Sequence, residues 1–286
     1  MFESSQHENT PLLSRQFITT THRYGPAICS PRVFFRTIRG CIIEFCAMTL
    51  LMFIGALCMR DVTSDLSGSI LLVGIGNGFS YGVLVAATMH ISGGFVNPAV
   101  TLGVMVAGKL HVITGLCYIV MHILGAVSGA GLVSLYSEGT INAAVHHLHS
   151  LPAKDDIDAA TVLLAILYEA LTTSVLVLVA LHAAIDKGSK VKPAAPVVLG
   201  FSVTVGILAT FHFTGGSVNP AKSLGPAVIG TKDTRWDYHY IYWVGPMIGA
   251  TVTALLYRLF FAWNAWIPAF KQREEDEEKL EKTSIN

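Results

Sequence analysis

From Leu66 to Gly108 the chain carries no charged residue, and Leu110 to Ser137, Pro193 to Ala221 and Tyr238 to Tyr257 are equally bare. Cys41 to Met59 is interrupted only by Glu44, and Ala159 to Ile185 only by Glu169. About 20 apolar residues are enough for one helix to cross a bilayer. Lipid offers no hydrogen bonds to a bare backbone, so stretches of this kind must be helical. The pattern predicts six spans, roughly 36–59, 69–90, 112–135, 161–184, 195–213 and 239–262.

Composition agrees. Only 13% of the 286 residues are charged, 52% are hydrophobic, the mean hydropathy is +0.56, and 19 Lys+Arg balance 19 Asp+Glu. A soluble domain carries roughly 25% charged residues. These values exclude a disordered chain, a basic nucleic-acid binder and an ordinary soluble enzyme. Cys41, Cys46, Cys58 and Cys117 lie inside apolar runs, with no zinc-type spacing. No nucleophile–base pair is apparent, and neither a metal nor a cofactor is expected.

Two apolar pieces, roughly 97–108 and 219–230, are too short to span. Each opens with Asn-Pro, and proline suits the first turn of a helix. They read as half-helices that enter the membrane and stop. The segment Ile91-Ser-Gly-Gly-Phe-Val-Asn-Pro-Ala-Val-Thr-Leu-Gly-Val104 returns as Phe213-Thr-Gly-Gly-Ser-Val-Asn-Pro-Ala-Lys-Ser-Leu-Gly-Pro226, with eight of 14 positions identical at an offset of 122. Glu44 is echoed by Glu169 at an offset of 125. The chain therefore divides into two repeats, 34–137 and 161–263, each of three spans and one half-helix. A connecting loop, 138–160, joins them, and tails occupy 1–33 and 264–286. An odd number of spans turns the second repeat upside down relative to the first. Inverted repeats place their special site near the midplane, where broken helices meet. The expected fold is an all-α polytopic membrane protein with six transmembrane helices and two re-entrant half-helices.

Orientation follows from lysine and arginine. Arg15, Arg23, Arg32, Arg36, Arg39, Lys109, Lys187, Lys190, Lys192, Arg258, Lys271, Arg273, Lys279 and Lys282 fall on one side of a six-span arrangement, against Arg60, Lys154, Lys232 and Arg235 on the other. Both termini are expected to be cytoplasmic, with the plasma membrane as the favoured residence. The first 33 residues lack an apolar core, so no cleaved signal peptide is expected. The acidic tail Glu274 to Glu281 reads as a solvated end.

The two Asn-Pro-Ala triplets, Asn97-Pro98-Ala99 and Asn219-Pro220-Ala221, each follow a Ser/Thr-Gly-Gly segment and open a half-helix. With the paired Glu44 and Glu169, this pattern resembles the aquaporin, or major intrinsic protein, family over about residues 34 to 263. The resemblance implies a passive channel for water, in a homotetramer with one pore per subunit. A wider channel that also passes ammonia, urea or hydrogen peroxide is the alternative within that class. A coupled transporter would need a free intramembrane acid. The resemblance gives both glutamates to holding the re-entrant loops through backbone N–H groups.

Each half-helix start carries roughly half a positive charge. Where both meet, cations are repelled. Asn97 and Asn219 can cap those starts and donate to a passing water, turning its hydrogens outward and breaking a proton wire. Gly93, Gly94, Phe95, Gly215 and Ser217 lie in the stretches before the triplets, where carbonyls can form an acceptor ladder along a lumen; irregular backbone at this depth is tolerated where it lines a cavity. Gly74, Gly78, Gly125, Gly129, Gly200, Gly206 and Gly249 are assigned to helix packing, and His90 and His212 to scaffold hydrogen bonding.

The resemblance also implies a selectivity constriction, here formed by Asn77, Ile207, Gly216 and Lys222. Water-selective members have Phe, His, a small residue and Arg at these positions, so three of the four depart. Lysine keeps the charge but loses the rigid five-donor fork. The constriction is expected to be wider than in that pattern, with Lys222 either facing the lumen or snorkelling outward. Phe95 stands where many members carry His. Ser223 after Lys222, and Ala227 after Pro226, depart from the glycerol-channel branch.

Overall fold

A computed structural model describes residues 31–59, 66–146, 148, 157–186, 189–231 and 236–261. Nine α-helices and no strand occur among the described residues. The spans are α1 (Pro31–Leu57), α2 (Leu66–Thr88), α4 (Val112–Tyr136), α6 (Ala159–Val179), α7 (Ala195–Thr214) and α9 (Ile241–Leu256). Between them lie the half-helices α3 (Pro98–Val106) and α8 (Pro220–Ile229), and the short α5 (Glu138–Ala143). The chain is an integral, multi-pass membrane protein with six helices long and apolar enough to cross. The tails fall almost wholly outside the described residues, as do Arg60, Lys154, Lys187, Lys232, Arg235 and residues 149–156 of the connecting loop.

The long helices pack in pairs that obey the repeat. The closest pairs are α1 with α4, α6 with α9, and α2 with α7 across the middle. Small residues set these approaches. A Cβ on Gly125 would stand 2.6 Å from the Phe45 carbonyl, and one on Gly129 would strike that of Thr49, so α1 and α4 touch through backbone. In the second repeat, Gly245 meets the Ile166 carbonyl and Gly249 that of Ala170. In lipid no hydrophobic force pulls helices together, so a Gly-x-x-x-Gly face substitutes close van der Waals packing. The half-helices then fill the two remaining gaps: α8 lies against α4, and α3 against α9.

Outward faces are apolar, as lipid demands: Leu71, Val83, Leu135, Leu163, Val205 and Phe260 are all exposed. The polar groups are turned inward. Glu44, Asn77, Asn97, His122, Glu169, Asn219 and Lys222 are all buried. The sixth span does not end as a plain helix. The chain passes into a π-helical turn at Tyr257–Phe261, as α6 does at Ala180–Ile185.

Candidate pore at the junction of the half-helices

Each half-helix starts in the same way. Asn97 and Asn219 are extended (φ −160° and −146°), each followed by proline at the first helical position. The Asn97 Oδ1 accepts from Ala99 N–H at 2.8 Å. The Asn219 Oδ1 accepts from Ala221 and Lys222 N–H at 3.1 and 3.3 Å. These are side-chain caps on otherwise orphaned donors.

The side-chain N–H groups of the same residues cross the repeat boundary. Asn97 Nδ2 donates to the Val218 carbonyl at 2.9 Å, and Asn219 Nδ2 to the Val96 carbonyl at 2.9 Å. An amide nitrogen carries two hydrogens; Asn97 keeps one for a further acceptor, while Asn219 Nδ2 also reaches the weakly accepting Met48 Sδ at 4.0 Å. The two caps are thereby held face to face.

The approach to each Asn is a run of left-handed backbone: Gly93 (φ 111°), Gly94 (65°) and Val96 (48°), then Gly215 (79°), Gly216 (65°) and Val218 (56°). Glycine adopts these angles freely, but a β-branched valine does so at a cost of about 1–3 kcal/mol. Two buried carboxylates hold it there. Glu44 accepts from Phe95 and Val96 N–H at 3.1 and 2.8 Å, and Glu169 from Ser217 and Val218 N–H at 3.1 and 2.9 Å. Each such charge-assisted bond contributes about 1.5–3 kcal/mol.

The third partner of each acid breaks the symmetry. His122 Nε2 lies 2.7 Å from Glu44, with both side chains fully buried. Its Nδ1 has no partner among the described residues, so the geometry suits a proton on Nε2 donated to the carboxylate. Glu169 instead receives the Thr214 hydroxyl at 2.6 Å. Sequence reasoning missed His122. The signal was present: an imidazole inside the uncharged 110–137 stretch needs a polar partner in the membrane. His90 and His212, expected to hydrogen-bond near the loops, are exposed.

Tyrosines brace the loops from behind. Tyr81 O–H donates to the Phe95 carbonyl at 2.8 Å, and Tyr242 O–H to the Thr214 carbonyl at 2.9 Å. One lone pair of the Phe95 carbonyl is therefore taken. The Phe95 ring is 8% exposed and lies 6.0 Å from that of Tyr118.

Between the half-helix starts is a cavity of about 10 Å³, walled by Leu51, Asn77, Tyr81, Asn97, Leu176, Val203, Ser217, Val218, Asn219 and Lys222. A site of roughly 10–15 Å³ holds one water. The wall joins apolar side chains to a few polar groups. Asn77 and Lys222 belong to this wall, while Ile207 and Gly216 abut each other, a Cβ on Gly216 falling 2.8 Å from the Ile207 Cα. Asn77 donates to Val73 O at 2.9 Å, and its Oδ1 fills the notch left by Gly55, so the amide is tucked against α1. Lys222 is 7% exposed with its backbone N–H on Asn219, and its ammonium has no hydrogen-bond partner among the described residues.

Comparison with known proteins identifies relatives of this chain. Residues 33–257 match the family model of the major intrinsic proteins. The chain is 37% identical over 233 residues to the aquaporin PIP1-3 of Arabidopsis thaliana, covering 77% of this chain and 78% of that protein. It is 34% identical to the aquaporin TIP1-2 of Musa acuminata, covering 77% of this chain and 86% of that one. Among solved structures, the aquaglyceroporin from Plasmodium falciparum shares the fold, with a TM-score of 0.68 at 22% identity over 81% of this chain and 99% of that one. With a family match across the whole membrane region and the paired Asn-capped half-helices inside it, this chain belongs to the major intrinsic protein family.

Proposed function

We infer that each chain carries its own pore at the junction of α3 and α8, and that water crosses it in single file. The protein is a water channel of the aquaporin type. The observation that carries the pore's location is the cross-bonded pair Asn97 and Asn219, set in the wall of a cavity sized for one water. A water accepting from both turns its hydrogens away from the midplane. The two half-helix starts oppose a cation at the same point.

In this reading Asn77 and Lys222 form the polar part of the selectivity constriction, with Ile207 and Gly216 as its apolar part. Carbonyls of 93–95 and 215–217 guide water on either side. Glu44 and Glu169 act on the loops and not on protons. The wider-solute reading is not favoured, because the relatives are named aquaporins and the cavity is narrow. The reading also includes a homotetramer, both termini in the cytoplasm, and residence in the plasma membrane. The lysine and arginine distribution supports the orientation.

Stopped-flow light scattering on proteoliposomes tests this directly. The protein should raise water permeability well above that of empty vesicles, with little effect on urea and no proton conductance. Water permeability equal to the empty control would overturn it.

A further inference from the structure

Lys222 is the one charged residue in the wall of the cavity between the half-helix starts. The residue is buried. Its ammonium has no hydrogen-bond partner among the described residues, and unlike Asn77 Oδ1 and His122 Nδ1 it is not sealed off by its neighbours. Three N–H groups bearing a full positive charge are therefore unengaged. We propose that this junction is a binding site for one monovalent inorganic anion of the halide class, and that a bound halide plugs the pore to water.

Three sources of positive potential converge there. The half-helices α3 and α8, of nine and ten residues, both start at the cavity. Each start carries roughly half a positive charge, and such ends bind anions. Lys222 adds a whole charge within the first turn of α8. The same dipole disfavours a cation at that position, so the lysine breaks a local rule, as residues at functional sites do. An anion beside it relieves the repulsion. The buried carboxylates do not, since neither glutamate is in the cavity wall. Glu169 is taken up by Thr214, Ser217 and Val218, and Glu44 by Phe95, Val96 and His122.

The donors and the size of the space select the ligand. Asn97 Nδ2 has a second hydrogen to give, and that of Asn219 meets only Met48 Sδ, at 4.0 Å. Leu51, Leu176 and Val203 supply apolar contact on the other sides. An ammonium, an amide N–H and hydrocarbon suit a spherical anion, which accepts from any direction and donates nothing. Charge-assisted bonds from the ammonium offset part of its lost hydration. A space of about 10 Å³ takes one water-sized particle and is too small for a carboxylate or nitrate. Water and the ion compete for that one position, so the ion interrupts the file. The plug rests on the pore reading; the binding site does not.

The test uses the full chain. In detergent, the chlorine magnetic-resonance line of sodium chloride should broaden in the presence of the protein, and the excess width should titrate away as bromide is added. Lys222→Arg should keep this effect and Lys222→Met should lose it. Wild-type crystals grown in bromide should show an anomalous-scattering peak within hydrogen-bonding distance of Lys222 Nζ and Asn97 Nδ2. In proteoliposomes at fixed sodium and osmolality, chloride replaces gluconate, which is too large to enter. Water permeability should then fall about twofold at the concentration that half-fills the site. Neither binding measurement needs conduction, so the site is judged even if the water-channel reading fails. Broadening that Lys222→Met retains overturns the site. A bromide map empty at the junction does so too, even if the methionine variant does not fold. An occupied site with flow unchanged by chloride overturns the plug.

Discussion

The side-chain amide of Asn97 reaches across 121 residues of sequence to the carbonyl of Val218, at 2.9 Å. The reciprocal bond, from Asn219 to Val96, has the same length. Each Asn therefore caps its own helix with its oxygen and braces the other repeat with its nitrogen.

Asn97→Asp and Asn219→Asp should each lower water flow or admit cations. A carboxylate cannot donate to the opposing carbonyl, and its charge offsets the positive helix start. An unmade bond to a buried carbonyl costs about 1–3 kcal/mol, so thermal stability in detergent should fall as well. Variants that conduct like wild type, exclude cations and melt unchanged would remove both Asn from the midplane account.

Glu44→Gln and Glu169→Gln should destabilise the fold by about 2–4 kcal/mol. Glutamine offers one acceptor oxygen where two N–H groups need one each, and its own NH₂ is turned toward a donor. The Glu44 variant should suffer more, because His122 also loses its charged partner. Denaturation midpoints for the pair, read beside His122→Ala, give the ordering. Equal and negligible shifts would show that Val96 and Val218 hold their positive φ without help.

Lys222 has the most leverage on selectivity. Lys222→Arg should narrow the cavity and favour water over urea, since a planar fork fills more of the wall and orders water more firmly. Lys222→Ala should widen it and weaken exclusion of protons and cations. The ratio of urea to water permeability decides: the same value in both variants and wild type would take Lys222 out of the filter.

Acid should loosen the approach to the sixth span. Burial holds the His239 imidazole below its usual pKa, and its Nε2 accepts from Trp243 Nε1–H at 3.2 Å. A group whose folded pKa is depressed contributes stability at pH above its unfolded value and loses it as pH falls through the folded one. Melting temperature should be flat above about pH 6.5 and decline below it. His239→Gln should flatten part of that decline. An identical acid profile in the variant would clear His239 of any part in it.

The six spans and the all-helical architecture were legible because they rest on one local quantity, the length of uncharged sequence against the thickness of a bilayer. The half-helices showed themselves through proline placement and a repeat. The observed ends, Pro98 to Val106 and Pro220 to Ile229, lie within two residues of the expected ranges. Side-chain partners were not legible. That His122 would meet Glu44 depends on how α1 and α4 settle around Gly125 and Gly129, which no window of sequence contains. Asn77 was picked out through the family resemblance, but its folding into the notch at Gly55 follows from the α1–α2 approach.

The crossed amides also set an order for the chain's biogenesis. Val218 and Asn219 leave the ribosome long after Asn97; at about 5–20 residues per second, the gap is on the order of ten seconds. Until then the first half-helix sits in the membrane with an unbraced cap, beside a valine twisted into a conformation it disfavours. Glu44 and His122, both in the first repeat, can hold it meanwhile. Glu169, like Glu44, is made before the loop it clasps, but it meets a first half already waiting. The second half-helix is thus the closing piece of the assembly, and a truncated or stalled chain presents a membrane domain whose centre has never been joined.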